Sequence, residues 1–293
     1  MSKKKINQDR VGYVMIAPYY IFMIVFILLP ILINIFLSFT DYNLNTMTFV
    51  GLKNYTRMLQ DPILKRSIVN TLLYSVVTLV LNMGLGLLIS ILVLRTGKAL
   101  GVIRTIVFLP YVISMASASM IWLWIYEPGY GLLNSIITFF GGVSQDWVYD
   151  VELAMGCIIL VTVWKFVGYN MVIYTSGIMN VPAQLYEAAM IDGANVWRQF
   201  QYITWPMLRP ITFFLMITGF INNFNVFEQV SILTGGGPVN STTTLMHQIY
   251  IRGFVDYQFG YASAITVLMM IVVSIVTALN FRYGSQGQNT DLS

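Results

Sequence analysis

Charge is what this sequence has least of. Asp, Glu, Lys and Arg make up 10% of its 293 residues, against about 25% in a typical soluble domain. Hydrophobic residues make up 57% and aromatics 14%, and the mean hydropathy is +0.72. So little charge cannot solvate the surface of a globule this size, which excludes a water-soluble enzyme, and the apolar content excludes a disordered chain. The 16 basic residues outnumber the 12 acidic ones. They are scattered, whereas a nucleic-acid groove needs clustered cations. One cysteine, Cys157, excludes an intrachain disulfide, and one histidine, His247, excludes a metal site of several His and Cys ligands. Cys157 is expected to be a small apolar filler and His247 a loop residue. No catalytic group is expected. The chain also lacks a Gly-x-x-x-x-Gly-Lys-Ser/Thr loop: Gly97-Lys98 has no glycine at the required place and is followed by Ala99. It therefore has no such phosphate-binding loop with which to hydrolyse ATP.

What is present is a series of long apolar runs. A helix needs roughly 20 residues to cross about 30 Å of hydrocarbon. Runs of that length lie at about 11–39, 68–94, 105–126, 151–179, 211–233 and 261–281. The first holds Pro18 and Pro30 and is followed by Asp41-Tyr42-Asn43 rather than a small-residue cleavage site, so it reads as a retained span and not a signal peptide. Backbone groups in lipid must be satisfied internally, and the runs are too long and too uniformly apolar for barrel strands, so helices are expected. The fold class is all-α, a polytopic membrane protein of six transmembrane helices forming one domain over residues 1–293. The stretch 52–64 reads as an amphipathic helix at the interface.

Lys and Arg in the connections set orientation. With the N-terminus inside, the inner segments hold ten: Lys3, Lys4, Lys5, Arg10, Arg95, Lys98, Arg104, Arg198, Arg209 and Arg282. The outer segments hold five: Lys53, Arg57, Lys65, Arg66 and Arg252. Ten against five puts both termini in the cytoplasm. The tail after Gly284 is short and polar.

The connection 179–210 carries most information. Pro182 suits the first turn of a helix through Ile191. Asp192-Gly193 stops it, because glycine tolerates the left-handed cap conformation. A second short helix, 195–203, starts at Asn195 as N-cap and is expected to be broken by Pro206 and Pro210 before the fifth span. Leu185, Ala188, Ala189, Phe200 and Ile203 can pack inward. On composition alone this is a plain amphipathic loop. The order Glu187-Ala188-Ala189, Asp192-Gly193-Ala194, Phe200, Ile203, Pro206, Pro210 resembles the EAA signature of ABC importer permeases. Trp205 stands where that signature usually has leucine.

The resemblance extends along nearly the whole chain. Phe49-Val50-Gly51-Leu52-Lys53-Asn54-Tyr55, Asn70-Thr71-Leu72, Phe108-Leu109-Pro110, Trp122-Leu123-Trp124 with Pro128, Gly131 and Asn134, and Leu233-Thr234-Gly235-Gly236-Gly237-Pro238 with Thr242-Thr243-Thr244 are similar to segments of carbohydrate-uptake permeases of the maltose and glycerol-phosphate type. The resemblance implies a bacterial plasma-membrane location and inward translocation of a sugar or oligosaccharide by alternating access. It implies four kinds of partner besides the lipid bilayer: a second permease subunit, two ATPase subunits, an external solute-binding protein and the sugar. Mg-ATP would be bound by the ATPases, so the chain carries no cofactor of its own. Glu187, Ala188, Ala189, Asp192, Gly193 and Ala194 would couple to an ATPase.

Lys165 lies near the middle of the fourth run, where an ammonium costs about 2.5–3.5 kcal/mol to insert. It must face protein or water. Two readings are open: it pairs with Glu228, or it reads an acidic group on the solute. Thr162, Lys165 and Tyr169 share one helix face. Asn222, Asn223 and Asn225 lie on the fifth run, with Glu228 beyond them. These asparagines read either as interhelical glue, worth about 0.6 kcal/mol each, or as solute contacts, since a carboxamide offers donors and acceptors to hydroxyls. By resemblance, Lys165, Phe166, Tyr169 and Asn223 fall at sugar-lining positions. Trp122 and Trp124 read as interface belt residues. Two other functions stay open: a permease for an anionic solute such as glycerol phosphodiesters, which Lys165 permits, and a secondary transporter or membrane enzyme, which would need clustered intramembrane acids or a His pair.

Overall fold

A computed structural model describes residues 8–94 and 100–284. The cations Lys3, Lys4, Lys5, Arg95 and Lys98, and the tail 285–293, lie outside the described residues. α1 (Gln8–Met23) continues through a π-helical turn (Ile24–Leu28) into α2 (Leu29–Leu37). Then come α3 (Lys53–Gln60), α4 (Pro62–Leu94), α5 (Leu100–Val112), α6 (Met115–Ile125), α7 (Leu132–Phe139), α8 (Ala154–Met179), α9 (Ala183–Ile191), α10 (Val196–Gln199), α11 (Trp205–Phe224), α12 (Glu228–Leu233), α13 (Leu245–Tyr250) and α14 (Phe259–Gly284). Among the described residues five helices are long and apolar enough to cross a membrane, and six if the bent pair α5–α6 counts as one span. The all-α polytopic expectation therefore holds.

Two spans differ from their sequence reading. The third is not one helix: α5 and α6 meet at a bend of 98°. Pro110 lies inside α5, and Ser114 starts α6 afresh, its Oγ accepting from the Ser117 N–H at 3.1 Å. The fifth run does not reach Leu233. Its helix ends at Phe224, and α12 is a separate short piece. At the other end Pro206 and Pro210 break nothing. α10 passes through a second π-helical turn (Phe200–Thr204) directly into α11, and the whole qualifies as one helix, Val196–Phe224. The wider π turn absorbs the misfit that Pro206, early in α11, would otherwise force on the helix.

The described chain divides into two compact units. One comprises residues 1–61 and 249–270. Its first span buries none of its apolar window inside this chain. The following loop is pinned by Asn54, whose amide donates to the carbonyls of Ser38 (2.9 Å) and Thr40 (2.8 Å). Asn54 and Met58 form the buried face of α3, as amphipathy predicts. Two cations of this unit are tied rather than dangling. Arg252 pairs with Asp61 at 3.6 Å and Asp256 at 3.0 Å. Arg57 sits 4.1 Å over the ring of Tyr261, whose hydroxyl donates to Asp61 at 2.9 Å.

The other unit comprises residues 62–248 and 271–293. α8 is its central post, packed against α4, α5 and α11. Lipid is as apolar as leucine, so helices associate in it through close packing at small residues. Gly168 shows this. A Cβ built there would fall 2.1 Å from the Val107 carbonyl oxygen, so only glycine lets α5 approach. Tyr174, Leu208 and Leu215 form a buried cluster in this unit, and Tyr74, Ile158, Val161 and Val230 another.

Candidate functional site

A cavity of about 450 Å³ opens in the unit built on α8. α4 supplies Tyr74, Leu79 and Asn82, the α5–α6 bend Tyr111 and Met115, and α8 Thr162, Phe166, Tyr169 and Asn170. α11 supplies Asn222 and Asn223, and the stretch after its end supplies Asn225, Val226, Phe227, Glu228 and Gln229. The early stop of α11 makes this possible. The N–H groups of Asn225 and Val226 turn back to the Asn222 and Asn223 carbonyls at 3.2 and 3.3 Å, and the chain crosses the cavity wall before α12 begins.

Six of the seven residues expected along a solute path, namely Phe166, Tyr169, Asn222, Asn223, Asn225 and Glu228, line this one cavity. Glu228 does so from the start of α12 and not from inside a span. Asn223 also serves as glue, its amide donating to the Ser75 carbonyl at 3.2 Å. Tyr111 stacks on Tyr169 with ring centroids 5.0 Å apart and meets Phe166 edge-on at 5.8 Å, giving an aromatic wall.

Lys165 is the seventh, and the structure seats it otherwise. It does not line the cavity and is 5% exposed. No ion pair joins it to Glu228 among the described residues. Its ammonium donates to the carbonyls of Tyr111 (3.0 Å), Pro110 (3.4 Å) and Ile113. The reason lies in the bend. A helix leaves its last carbonyls unpaired, and α5 ends inside a membrane-spanning pair, where water is scarce. An ammonium has three donors, and a cation at a helix C-terminus is also favoured by the helix dipole.

Sequence reasoning missed Tyr74, Asn82, Tyr111, Asn170 and Gln229. Tyr74 donates to Thr162 Oγ1 at 3.0 Å and accepts from Gln229 Nε2 at 2.8 Å, tying α4, α8 and α12 together at the cavity. These polar groups inside apolar runs were the available signal. His247 is also corrected: it is a buried residue of α13, its pKa lowered by desolvation. Cys157 is buried and free, as an apolar filler should be.

The second region is the α9–α10 turn. α9 ends as expected. Gly193 has φ of +76°, its N–H donates to the Met190 carbonyl at 3.1 Å, and the Ala194 N–H reaches the Ala189 carbonyl at 2.8 Å. The Asn195 side chain caps α10 by accepting from the Arg198 N–H at 2.9 Å. Glu187, Ala188, Asp192 and Gly193 are exposed, and Ala189 and Ala194 half-buried. Leu185 and Ala188 point outward rather than in. Ala189 and Tyr186 are the half-buried residues of α9, and the Tyr186 hydroxyl hydrogen-bonds Thr204 at 2.9 Å. The exposed face also carries Met190, Ile191 and Trp197. Apolar and acidic groups therefore lie uncovered side by side on this turn.

Residues 82–285 match the family described as "Binding-protein-dependent transport system inner membrane component". The chain is 34% identical over 287 residues to the sn-glycerol-3-phosphate transport system permease protein UgpA of Brucella abortus, covering 97% of each. It is 33% identical over 274 residues to the protein of the same name from Agrobacterium fabrum, covering 92% of this chain and 93% of the other. Its fold is similar to a chain of a bacterial alginate ABC transporter solved with an alginate pentasaccharide-bound periplasmic protein, with a TM-score of 0.86, 22% identity and 97% of each chain covered.

Proposed function

The chain belongs to the family of binding-protein-dependent transport system inner membrane components, and from that premise we propose that it is a permease subunit of an ATP-driven importer that moves a sugar-type solute into a bacterial cell. The observation that carries the solute class is the cavity, which an aromatic wall of Tyr111, Phe166 and Tyr169 lines together with the carboxamides of Asn222, Asn223 and Asn225. Aromatic faces suit the apolar faces of sugar rings, and each carboxamide both donates to and accepts from hydroxyls. A second permease subunit completes the pathway, an external binding protein delivers the solute, and two ATPase subunits hold Mg-ATP. The Glu187–Ala194 turn seats on one of these ATPases.

The test is reconstitution. The full complex in nanodiscs should hydrolyse ATP faster when its solute-loaded binding protein is added, and in proteoliposomes should accumulate the same solute. ATP hydrolysis indifferent to the loaded binding protein, with no accumulation, refutes the reading.

Both termini lie on the cytoplasmic side in this proposal, which rests on the ten-to-five distribution of cations. With Cys157 replaced, Ser144→Cys should react with an impermeant thiol reagent from outside intact cells and Arg198→Cys should not. Both positions are exposed on the chain, so the reverse pattern would invert the orientation and remove the ATPase contact.

The named relatives raise a second reading, an anionic solute. A phosphate is held best by cations, and among the lining residues the only formal charge is negative.

A further inference from the structure

This inference rests on the proposed function and concerns the charge of its solute. Of the residues lining the cavity, one is formally charged, Glu228. Its side chain is exposed and makes no ion pair among the described residues. The Lys165 ammonium is buried and does not line the cavity. Its protons are taken by the carbonyls at the α5 end, and the rings of Tyr111 and Phe166 stand 5.8 and 5.6 Å from its nitrogen. A phosphate or carboxylate in this cavity would meet an anion and no available ammonium or guanidinium. A sugar hydroxyl would find an acceptor there, because hydrogen bonds to a carboxylate are stronger than those between neutral groups.

We propose that Glu228 sets the charge selectivity of the pathway in this chain. It favours uncharged sugars, admits those bearing an amine, and repels phosphorylated sugars and uronates. A solute so selected differs in charge from those in the names of the chain's relatives.

The experiment uses the complete complex in nanodiscs without binding protein, so that selection by the binding protein does not intervene. Saturation-transfer NMR compares three probes on one ring: methyl glucoside, glucosamine and glucose 6-phosphate. In the wild type the glucoside and the amine should bind at least about tenfold more tightly than the phosphate, a difference of about 1.4 kcal/mol. In Glu228→Gln, which keeps the shape and hydrogen-bonding capacity, that ratio should fall close to one, and glucosamine should lose more than the glucoside. Equal binding of glucoside and phosphate by the wild type overturns the charge selection and leaves the sugar site standing. A ratio unchanged in Glu228→Gln overturns the role of this residue. Saturation transfer to none of the three takes down the sugar reading of the cavity, and the proposal with it.

Discussion

Lys165→Met will lower the yield and thermal midpoint of the assembled complex, while Glu228→Gln will leave both at the wild-type level. The substitution keeps the length and apolar stem of the lysine and removes only the ammonium. The carbonyls of Pro110, Tyr111 and Ile113 then lose their donor at a bend where no helix continues to supply N–H groups. A hydrogen bond to a charged group contributes roughly 1.5–3 kcal/mol. Three such bonds lost together predict a loss of at least about 3 kcal/mol, large against the 5–15 kcal/mol that holds a typical domain folded. Lys165→Arg should recover part of it, since a guanidinium also donates several hydrogen bonds. The double change Lys165→Met with Glu228→Gln separates this from an ion pair. If the two groups stabilised each other, neutralising both would restore assembly. The carbonyl cap predicts no restoration. Fluorescence-detected size exclusion after a heating series reads all four variants. Recovery in the double variant, or a Lys165→Met complex as stable as wild type, would falsify the cap.

Glu187→Lys and Gly193→Pro will each insert and assemble the membrane helices normally yet cut uptake more than about tenfold, the equivalent of about 1.4 kcal/mol of coupling. The two act differently. Glu187 is exposed on α9, so reversing its charge changes the surface proposed to meet the ATPase and leaves the helix alone. Gly193 sits at φ +76° and its N–H caps α9. Proline fixes φ near −65° and has no N–H, so that change dismantles the turn itself. Retained yield with lost uptake and lost stimulation of ATP hydrolysis is the expected outcome. Wild-type uptake in the Glu187→Lys complex would remove this face from the ATPase contact, whatever Gly193→Pro does.

Much of this architecture is legible in the sequence because lipid imposes a simple rule. Apolar runs of sufficient length must be helices, and the runs at 68–94 and 151–179 fall on α4 and α8. Hydropathy averages over direction, however, and so cannot see a bend. The pieces on either side of Ser114 are equally apolar, and the break shows only in Pro110 and in a serine that caps the helix after it. The same blindness carried the fifth run past Asn225 into α12 and placed Glu228 inside a span. Proline misled in the opposite direction: a π turn had already loosened the helix ahead of Pro206, and Pro210 sits inside α11 without ending it. Lys165 was recognisable as a residue in need of a partner. Its partners are main-chain oxygens of another helix, which every residue carries and no side-chain pattern announces. Tyr74 and Gln229 were missed for a related reason. They meet across 155 residues of chain, and nothing local to either marks the encounter.

The absence of a joint between α10 and α11 has a mechanical consequence. Val196–Phe224 is one helix of 29 residues, about 43 Å long at 1.5 Å per residue. One end carries the exposed Trp197 beside the turn at Gly193, and the other carries Asn222 and Asn223 in the cavity wall. The helix runs on through its π turn without a loop, so a tilt imposed at the first end reaches the second along continuous helix. The cavity wall formed by those asparagines is therefore the far tip of a strut whose near tip is on the surface. In the proposed importer, work done on that surface would change the shape of the cavity.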